Sequence, residues 1–233
     1  MSQEHSVEIG GIAIHNLSFA EALERIIALA QQHQAHYIVT PNTDHMVRLQ
    51  QDEDFLKVYQ GASLVVADGM PLIWASKLLK NPLKERVTGA DLLPALCAQA
   101  AQRGLSVYFL GAAPGVAQQA ADKLQAQHPQ LKVAGLYSPP FGFEREPEEC
   151  QKIVDYLNQC EPDIVFVGLG SPKQEFWIAH YQAVLKVGVL LGIGAAIAFA
   201  AGVEKRAPRV MQKLGLEWLH RLTQDPKRLS QRY

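Results

Sequence analysis

The sequence predicts an α/β fold: a parallel β-sheet with helices on both faces, preceded by an N-terminal β-hairpin and followed by a basic helical appendage. Three observations predict it. From residue 36 onward, short apolar runs of strand length alternate with helix-length stretches, the pattern of a sheet buried on both sides. Hydrophobic residues make up 48% of the 233, enough for one sizeable core with an appendage rather than two full domains. The alternation stops at Gly202, where a basic segment begins.

The elements follow in order. "VEIGGIAIHN" places a Gly-Gly turn between two short alternating runs, a hairpin signal. Ser18 with Glu21 three residues later forms a capping-box start for a helix carrying Leu23, Ile26, Ile27 and Ala30. "HYIVT" reads as a strand, Thr43 to Tyr59 as one helix, "SLVVA" as a strand, and 71–79 and 88–102 as helices. "SVYFLG", "LKVAGLY", "DIVFVGLG" and "VGVLLGIG" are the remaining strands, with helices expected over 115–127, 147–159 and 171–185. The uncharged run 187–203 approaches membrane-spanning length, but its four glycines and strand-like start predict a buried strand, turn and helix.

Charge and cysteines narrow the function classes. The formal net charge of -1 excludes a general nucleic-acid binder. The distribution is uneven: residues 203–233 hold eight Lys/Arg against three acids, net +5, leaving -6 on residues 1–202. The chain therefore divides into a core, 1–202, and a basic appendage, 203–233. Cys97, Cys150 and Cys160 are odd in number and form no CxxC, so they read as thiols of a reducing compartment. "MSQEHSVEIG" lacks the basic and apolar regions of a signal peptide, and a cytoplasmic location is expected.

In open parallel sheets, ligands bind beyond the carboxyl ends of the strands. The loops "TPNTD", "ADGMP", "GAAPG", "YSPPFGF", "GLGSPKQE" and "GIGAA" all follow strands and should share one edge. "FLGAAPGV" and "GLGSPKQE" run strand, glycine, small residues, helix, a pattern that serves either a tight turn or a phosphate at a helix start. Neither is a full GxGxxG or Walker A motif. Two of them on one edge favour a nucleotide or sugar nucleotide, and Gly111, Tyr137, Gly170, Ser171, Lys173 and Gly194 are the candidates to hold it.

Thr40, Asn42, Asp68 and Gln174 fall at strand ends on the same edge, and Arg86 follows the next helix. A carboxylate beside hydroxyl, amide and guanidinium groups can orient a polyol and remove a proton from one hydroxyl. Asp68 has a second reading, as cap of the helix with Pro71 in its first turn, and spacing alone does not decide between them. Thr43 and Asp44 read as helix-start residues and His45 as an ordinary helix residue. "DED" at 52–54 reads as a solvated helix face rather than a metal site, and the eight histidines show no ligand spacing, so no metal is implied. Over 209–222, Met211, Leu214, Trp218 and Leu222 cluster on one side of a helical wheel, opposite Arg209, Lys213 and His220. That pattern suits docking on the body or lying on an anionic membrane surface.

"TPNTDHMV", "VVADGMPLIWASKLL", "ERVTGADLLPAL", "GLGSPKQEFWI" and "RAPRVMQKLGLEWLHRL" together resemble the WecG/TagA/CpsF family of bacterial glycosyltransferases, from about residue 8 to the end. The resemblance implies a Rossmann-like fold and an inverting, metal-independent transfer of a sugar from a UDP-sugar to a polyprenyl-diphosphate-linked sugar, in wall teichoic acid, common antigen, capsule or exopolysaccharide assembly. N-acetylmannosamine is the donor sugar it favours, with its uronic acid and glucose as rivals. It implies that Asp68 is the general base, that Thr40, Asn42, Arg86 and Gln174 line its pocket, and that the appendage reaches the inner face of the cytoplasmic membrane. Arg206, Arg209 and Arg221 are then the arginines the appendage would bring to the diphosphate. No cofactor is implied, and homo-oligomerisation is left open.

One departure stands out. Relatives carry a pattern like G-x-G-x-x-F-D-F where this chain reads "GIGAAIAF", with Ile197 and Ala198. A nucleotide-sugar-binding regulator without turnover is therefore a competing reading. A nicotinamide-dependent oxidoreductase is a third, opposed by the missing GxGxxG after the first parallel strand.

Overall fold

The structure, a computed structural model, describes residues 5–213, 215–217 and 220. Strands β1 (Ser6–Ile9) and β2 (Ile12–His15) form the antiparallel hairpin, with Val7 opposite Ile14. Helix α1 (Phe19–Ala30) begins with the expected capping box: Glu21 N donates to Ser18 Oγ at 3.3 Å, and Ser18 N donates to Glu21 Oε2 at 2.7 Å.

Six strands then build one parallel sheet. They are β3 (His36–Val39), β4 (Leu64–Val65), β5 (Ser106–Gly111), β6 (Lys132–Tyr137), β7 (Ile164–Gly168) and β8 (Val189–Gly192), in the spatial order β4-β3-β8-β7-β5-β6. Between them run α2 (Thr43–Leu49), α3 (Glu53–Gln60), α4 (Met70–Leu78), α5 (Gly89–Arg103), α6 (Val116–Gln127), α7 (Pro147–Cys160), α8 (Lys173–Tyr181), α9 (Ala196–Ala201) and α10 (Arg209–Lys213).

Alternation along each strand feeds two cores. Ile38, Val107, Phe109, Ile164, Phe166, Val189 and Leu191 face α1, α5, α6 and α9. Tyr37, Val39, Tyr108, Leu110, Val165, Val167 and Leu190 face the hairpin, α3, α4, α7 and α8. Because both faces of the sheet are covered, the strands read as continuous apolar runs rather than as polar/apolar alternation. Within the first core, Phe109 and Phe166 stack with ring centroids 5.5 Å apart.

Two boundaries differ from the sequence expectation. The helix expected over 43–59 is two helices, because Asp52 Oδ1 accepts from Phe55 N at 3.0 Å and starts α3 afresh. The "DED" acids accordingly sit at the cap and first turn of α3, where negative charge favours the helix dipole, rather than along a helix face. The helix expected over 171–185 ends at Tyr181 and tightens into a 3₁₀ turn over 182–184. The apolar run 187–203 folds as β8, a turn and α9, and no helix among the described residues is long and apolar enough to cross a membrane.

Candidate functional site

A cleft of about 570 Å³ opens over the carboxyl ends of β4, β3, β8 and β7, within the size range of small-molecule sites. Strand order reverses here: the chain leaves β3 toward β4 on one side, while β8 is inserted from the β7 side. Loops diverging at such a point leave a crevice.

Two backbone contacts set Asp68 into this cleft. Asp68 N donates to Pro41 O at 2.8 Å, and Val87 N donates to Ala67 O at 2.8 Å, fixing the end of β4 between the β3 loop and the segment before α5. Val66 and Ala67 are buried, while Asp68 is half-buried and lines the cleft. The capping alternative is not adopted: α4 has Gly69 at its N-cap, Pro71 in its first turn, and no side-chain cap.

Thr40 and Gln174 stitch the neighbouring loops together. Thr40 Oγ1 donates to Gly192 O at 3.3 Å, tying β3 to β8. Gln174, buried, accepts from Gly194 N at 3.1 Å through Oε1 and donates to Glu175 Oε1 at 2.8 Å through Nε2. Gly192 lies beneath it: a Cβ there would come 3.1 Å from Gln174 Nε2, so a side chain would press on this clasp. Asn42 caps α2, its Oδ1 accepting from His45 N at 3.2 Å, and lines the cleft beside Thr43 and Asp44. Ser171 Oγ is buried and, among the described residues, has no hydrogen-bond partner.

The opposite wall is a charge network. Arg206 donates to both oxygens of Asp91, with Nη2 3.0 Å from Oδ2, to Thr88 Oγ1 at 3.1 Å, and through Nε to Glu217 Oε1 at 3.2 Å. Arg86 Nη1 donates to Glu217 Oε2 at 3.4 Å. Burial alone would lower the Arg206 pKa, but the Asp91 and Glu217 carboxylates hold it above its ordinary value. Two guanidinium groups thus face the cavity from fixed positions, with Asp68 also on its lining.

Of the residues singled out in the sequence, Thr40, Asn42, Asp68, Arg86, Gly170, Ser171, Gln174, Gly194 and Arg206 line this one cleft. Gly111, Tyr137 and Lys173 do not. Gly111, at φ +107°, sits where a Cβ would come 2.5 Å from Gly168 O, so its glycine allows β5 and β7 to close together. Tyr137, at the end of the outermost strand, donates to Glu149 and accepts from Lys152 Nζ at 3.0 Å. Lys173 turns to Glu144 at 2.9 Å and lies 4.7 Å from the centroid of the Phe141 ring. The Arg209 side chain and Arg221 lie outside the described residues. Ala198 is not part of the lining; its carbonyl accepts from Val203 N at 3.1 Å and shapes the turn after α9.

Sequence reasoning passed over His45, Thr88, Glu204 and Glu217, all of which line the cleft. His45 is buried, its Nδ1 2.8 Å from the Tyr59 hydroxyl. Its place three residues after the Asn42 cap, in the first turn of a helix leaving a strand end, was the available signal. Among the described residues no group of three or more His, Cys, Asp or Glu is arranged to hold a metal ion.

Comparison with known proteins gives this geometry a relationship. Residues 7–233 match the Glycosyl transferase WecG/TagA/CpsF family. The N-acetylglucosaminyldiphosphoundecaprenol N-acetyl-beta-D-mannosaminyltransferase of Staphylococcus aureus (strain MW2) is 30% identical over 231 residues, 98% of this chain and 89% of that protein. The protein of the same name from Bacillus spizizenii (strain ATCC 23059 / NRRL B-14472 / W23) is 32% identical over 211 residues, 91% of this chain and 79% of that protein. With the match running through every element that builds the cleft, the chain belongs to the WecG/TagA/CpsF family of glycosyl transferases.

Proposed function

We propose that this protein transfers a sugar, N-acetylmannosamine in the best-supported reading, from a UDP-sugar to the N-acetylglucosamine of a polyprenyl diphosphate, with inversion and without a metal. The observation that carries the reading is one cavity lined by a strand-anchored carboxylate, Asp68, and by two fixed guanidinium groups, Arg86 and Arg206. The names of the two relatives support the acceptor and the transferred sugar.

In this mechanism Asp68 takes the proton from an acceptor hydroxyl while that oxygen forms its bond to the anomeric carbon. The bond from the anomeric carbon to the UDP oxygen breaks, and UDP departs with the electron pair. Arg86 and Arg206 offset the charge that develops on the diphosphate, which preorganised donors do at little reorganisation cost. Ser171 Oγ and the loop at Gly170 and Gly194 supply further polar contacts for the donor. The basic segment 203–233 serves as an appendage that brings the core 1–202 to the inner face of the cell membrane, where the acceptor resides.

UDP release by the full-length protein tests this, using a panel of UDP-sugars with a short-chain polyprenyl-diphosphate-GlcNAc acceptor and no added metal. Acceptor-dependent release with one donor is the expected result. Silence across the panel, with UDP binding intact, would favour the non-turning-over regulator. That reading rests on Ala198.

A further inference from the structure

The geometry points to the outer face of α4 as a membrane-contact surface that connects the cleft directly to the bilayer. The inference rests on the proposal that the acceptor is lipid-borne, and it concerns a part of the chain separate from the basic tail.

Helix α4 starts inside the cleft and ends in solvent. Met70 and Pro71 line the cavity, and Trp74 and Leu78 continue the same i, i+4 ridge outward. Trp74 is 50% exposed and Leu78 85% exposed, with Leu79 beyond them at 57%. Leu72, Ile73 and Ser76, on the other side of the helix, are buried, so within α4 the large apolar exposure falls on the Trp74–Leu78 ridge. From Met70 to Leu78 the helix rises about 12 Å, which carries the ridge from the cavity to the surface of the molecule.

The charges on this face identify its partner. Between Asp68 and Lys84 there is no acid, and Lys77 and Lys80 flank the exposed leucines, both exposed themselves. Tryptophan and leucine between lysines match the boundary of an anionic bilayer, where the indole sits at headgroup depth and the ammonium groups meet phosphates. A face meant for a soluble protein would need no continuity with the substrate cavity. Here the ridge runs into it, so a sugar diphosphate held in the cleft could keep its prenyl chain in the lipid.

The chain's basic segment runs alongside. A Cβ at Gly215 would come 2.9 Å from Trp74 Cη2 and 3.0 Å from Met70 Cβ, and Val210 nearby in sequence is 69% exposed. The C-terminal segment and α4 thus border the same mouth.

The test uses the full-length protein, Leu78→Glu and the double variant Lys77→Glu/Lys80→Glu, each checked for unaltered thermal unfolding. Sedimentation with phosphatidylglycerol-containing vesicles, and with phosphatidylcholine vesicles as control, is read beside UDP release on the short-chain acceptor and on a long-chain acceptor in vesicles. The expected result is sedimentation of the parent with anionic vesicles. Leu78→Glu should weaken it by about tenfold and the lysine pair by about tenfold or more, with short-chain turnover held within about twofold. Vesicle binding equal to the parent's, loss of short-chain turnover, or a dimer that Leu78→Glu dissociates would each overturn the inference. Failure of every donor with the parent would remove the proposed function, while the sedimentation result would still judge the surface.

Discussion

Glu217 places its carboxylate between the cleft's two arginines, accepting from Arg206 Nε at 3.2 Å and from Arg86 Nη1 at 3.4 Å. A diphosphate in the cleft would compete for the same donors. Glu217→Gln removes the competing charge and keeps the side chain's shape. A half-buried ion pair of this kind is worth on the order of 1 kcal/mol, so UDP should bind about fivefold more tightly to the variant in calorimetry. Weaker binding would mean that Glu217 orients the guanidinium groups rather than occupying them.

Asp68→Asn isolates the proton-transfer step. The amide fills the same volume at the end of β4 but takes no proton. Turnover should fall by about 100-fold or more, the usual scale of general-base catalysis, with UDP affinity within about threefold. Near-normal turnover would exclude Asp68 as the base.

The reach of local pattern is visible in which loops meet. Asp68, Thr40 and Gln174 were legible because strand-to-helix loops of a parallel sheet share one edge, and that rule holds here. The same rule applies equally to Gly111 and Tyr137, which the structure leaves out of the cleft. Their lateral position depends on strand order: β6 lies three strands from β8, about 14 Å at ordinary strand spacing. No local motif encodes that order. Glu217 was illegible for a related reason, since its partner Arg86 is 131 residues away and only tertiary packing brings them together. The break at Asp52 was a propensity question, in which a single capping carboxylate overrode an otherwise helical run.

Acid should loosen the C-terminal segment. Burial alone would raise the Asp91 pKa, but hydrogen bonds from Arg206 and Thr88 and the charges of Arg206 and Arg86 hold it below its ordinary 3.8. A carboxyl held low in the folded state contributes stability that is fully present above its unfolded value and is lost as pH falls through the folded one. Limited proteolysis near residues 203–217 should therefore accelerate below about pH 3.8. Asp91→Asn should show the faster cleavage already at neutral pH. Cleavage equally slow at every pH in both proteins would mean that this ion pair does not fasten the segment.

Gln174 supports the site by holding two loops, and its loss should appear as instability before it appears in binding. Gln174→Ala removes the acceptor of the part-buried Gly194 N and one donor to the buried Glu175 Oε1. Each hydrogen bond lost costs about 0.5–1.5 kcal/mol net, which for a chain of this size lowers the melting temperature by roughly 2–4 °C per kcal/mol. Gln174→Glu would instead set a carboxylate beside the buried Glu175 and should destabilise further. An alanine variant that melts like the parent would show that the loops are held by other contacts.

Tyr59 and His45 form the remaining polar pair beneath the cleft. The Tyr59 hydroxyl lies 2.8 Å from His45 Nδ1, and both residues are buried. Burial, with the Glu175, Asp68 and Asp44 charges adding to it, pushes the Tyr59 pKa well above its ordinary 10. The phenol therefore stays neutral through the working range. Tyr59→Phe keeps the ring against Phe55, whose centroid is 4.9 Å away, and deletes only the hydroxyl. The expected cost is about 1–3 kcal/mol of stability with UDP affinity unchanged, because the hydroxyl works by holding His45 and is not itself on the cleft lining. Thermal unfolding and UDP titration of the same preparation separate the two effects. A loss of affinity at unchanged stability would mean that His45, released from Tyr59, takes part in binding directly.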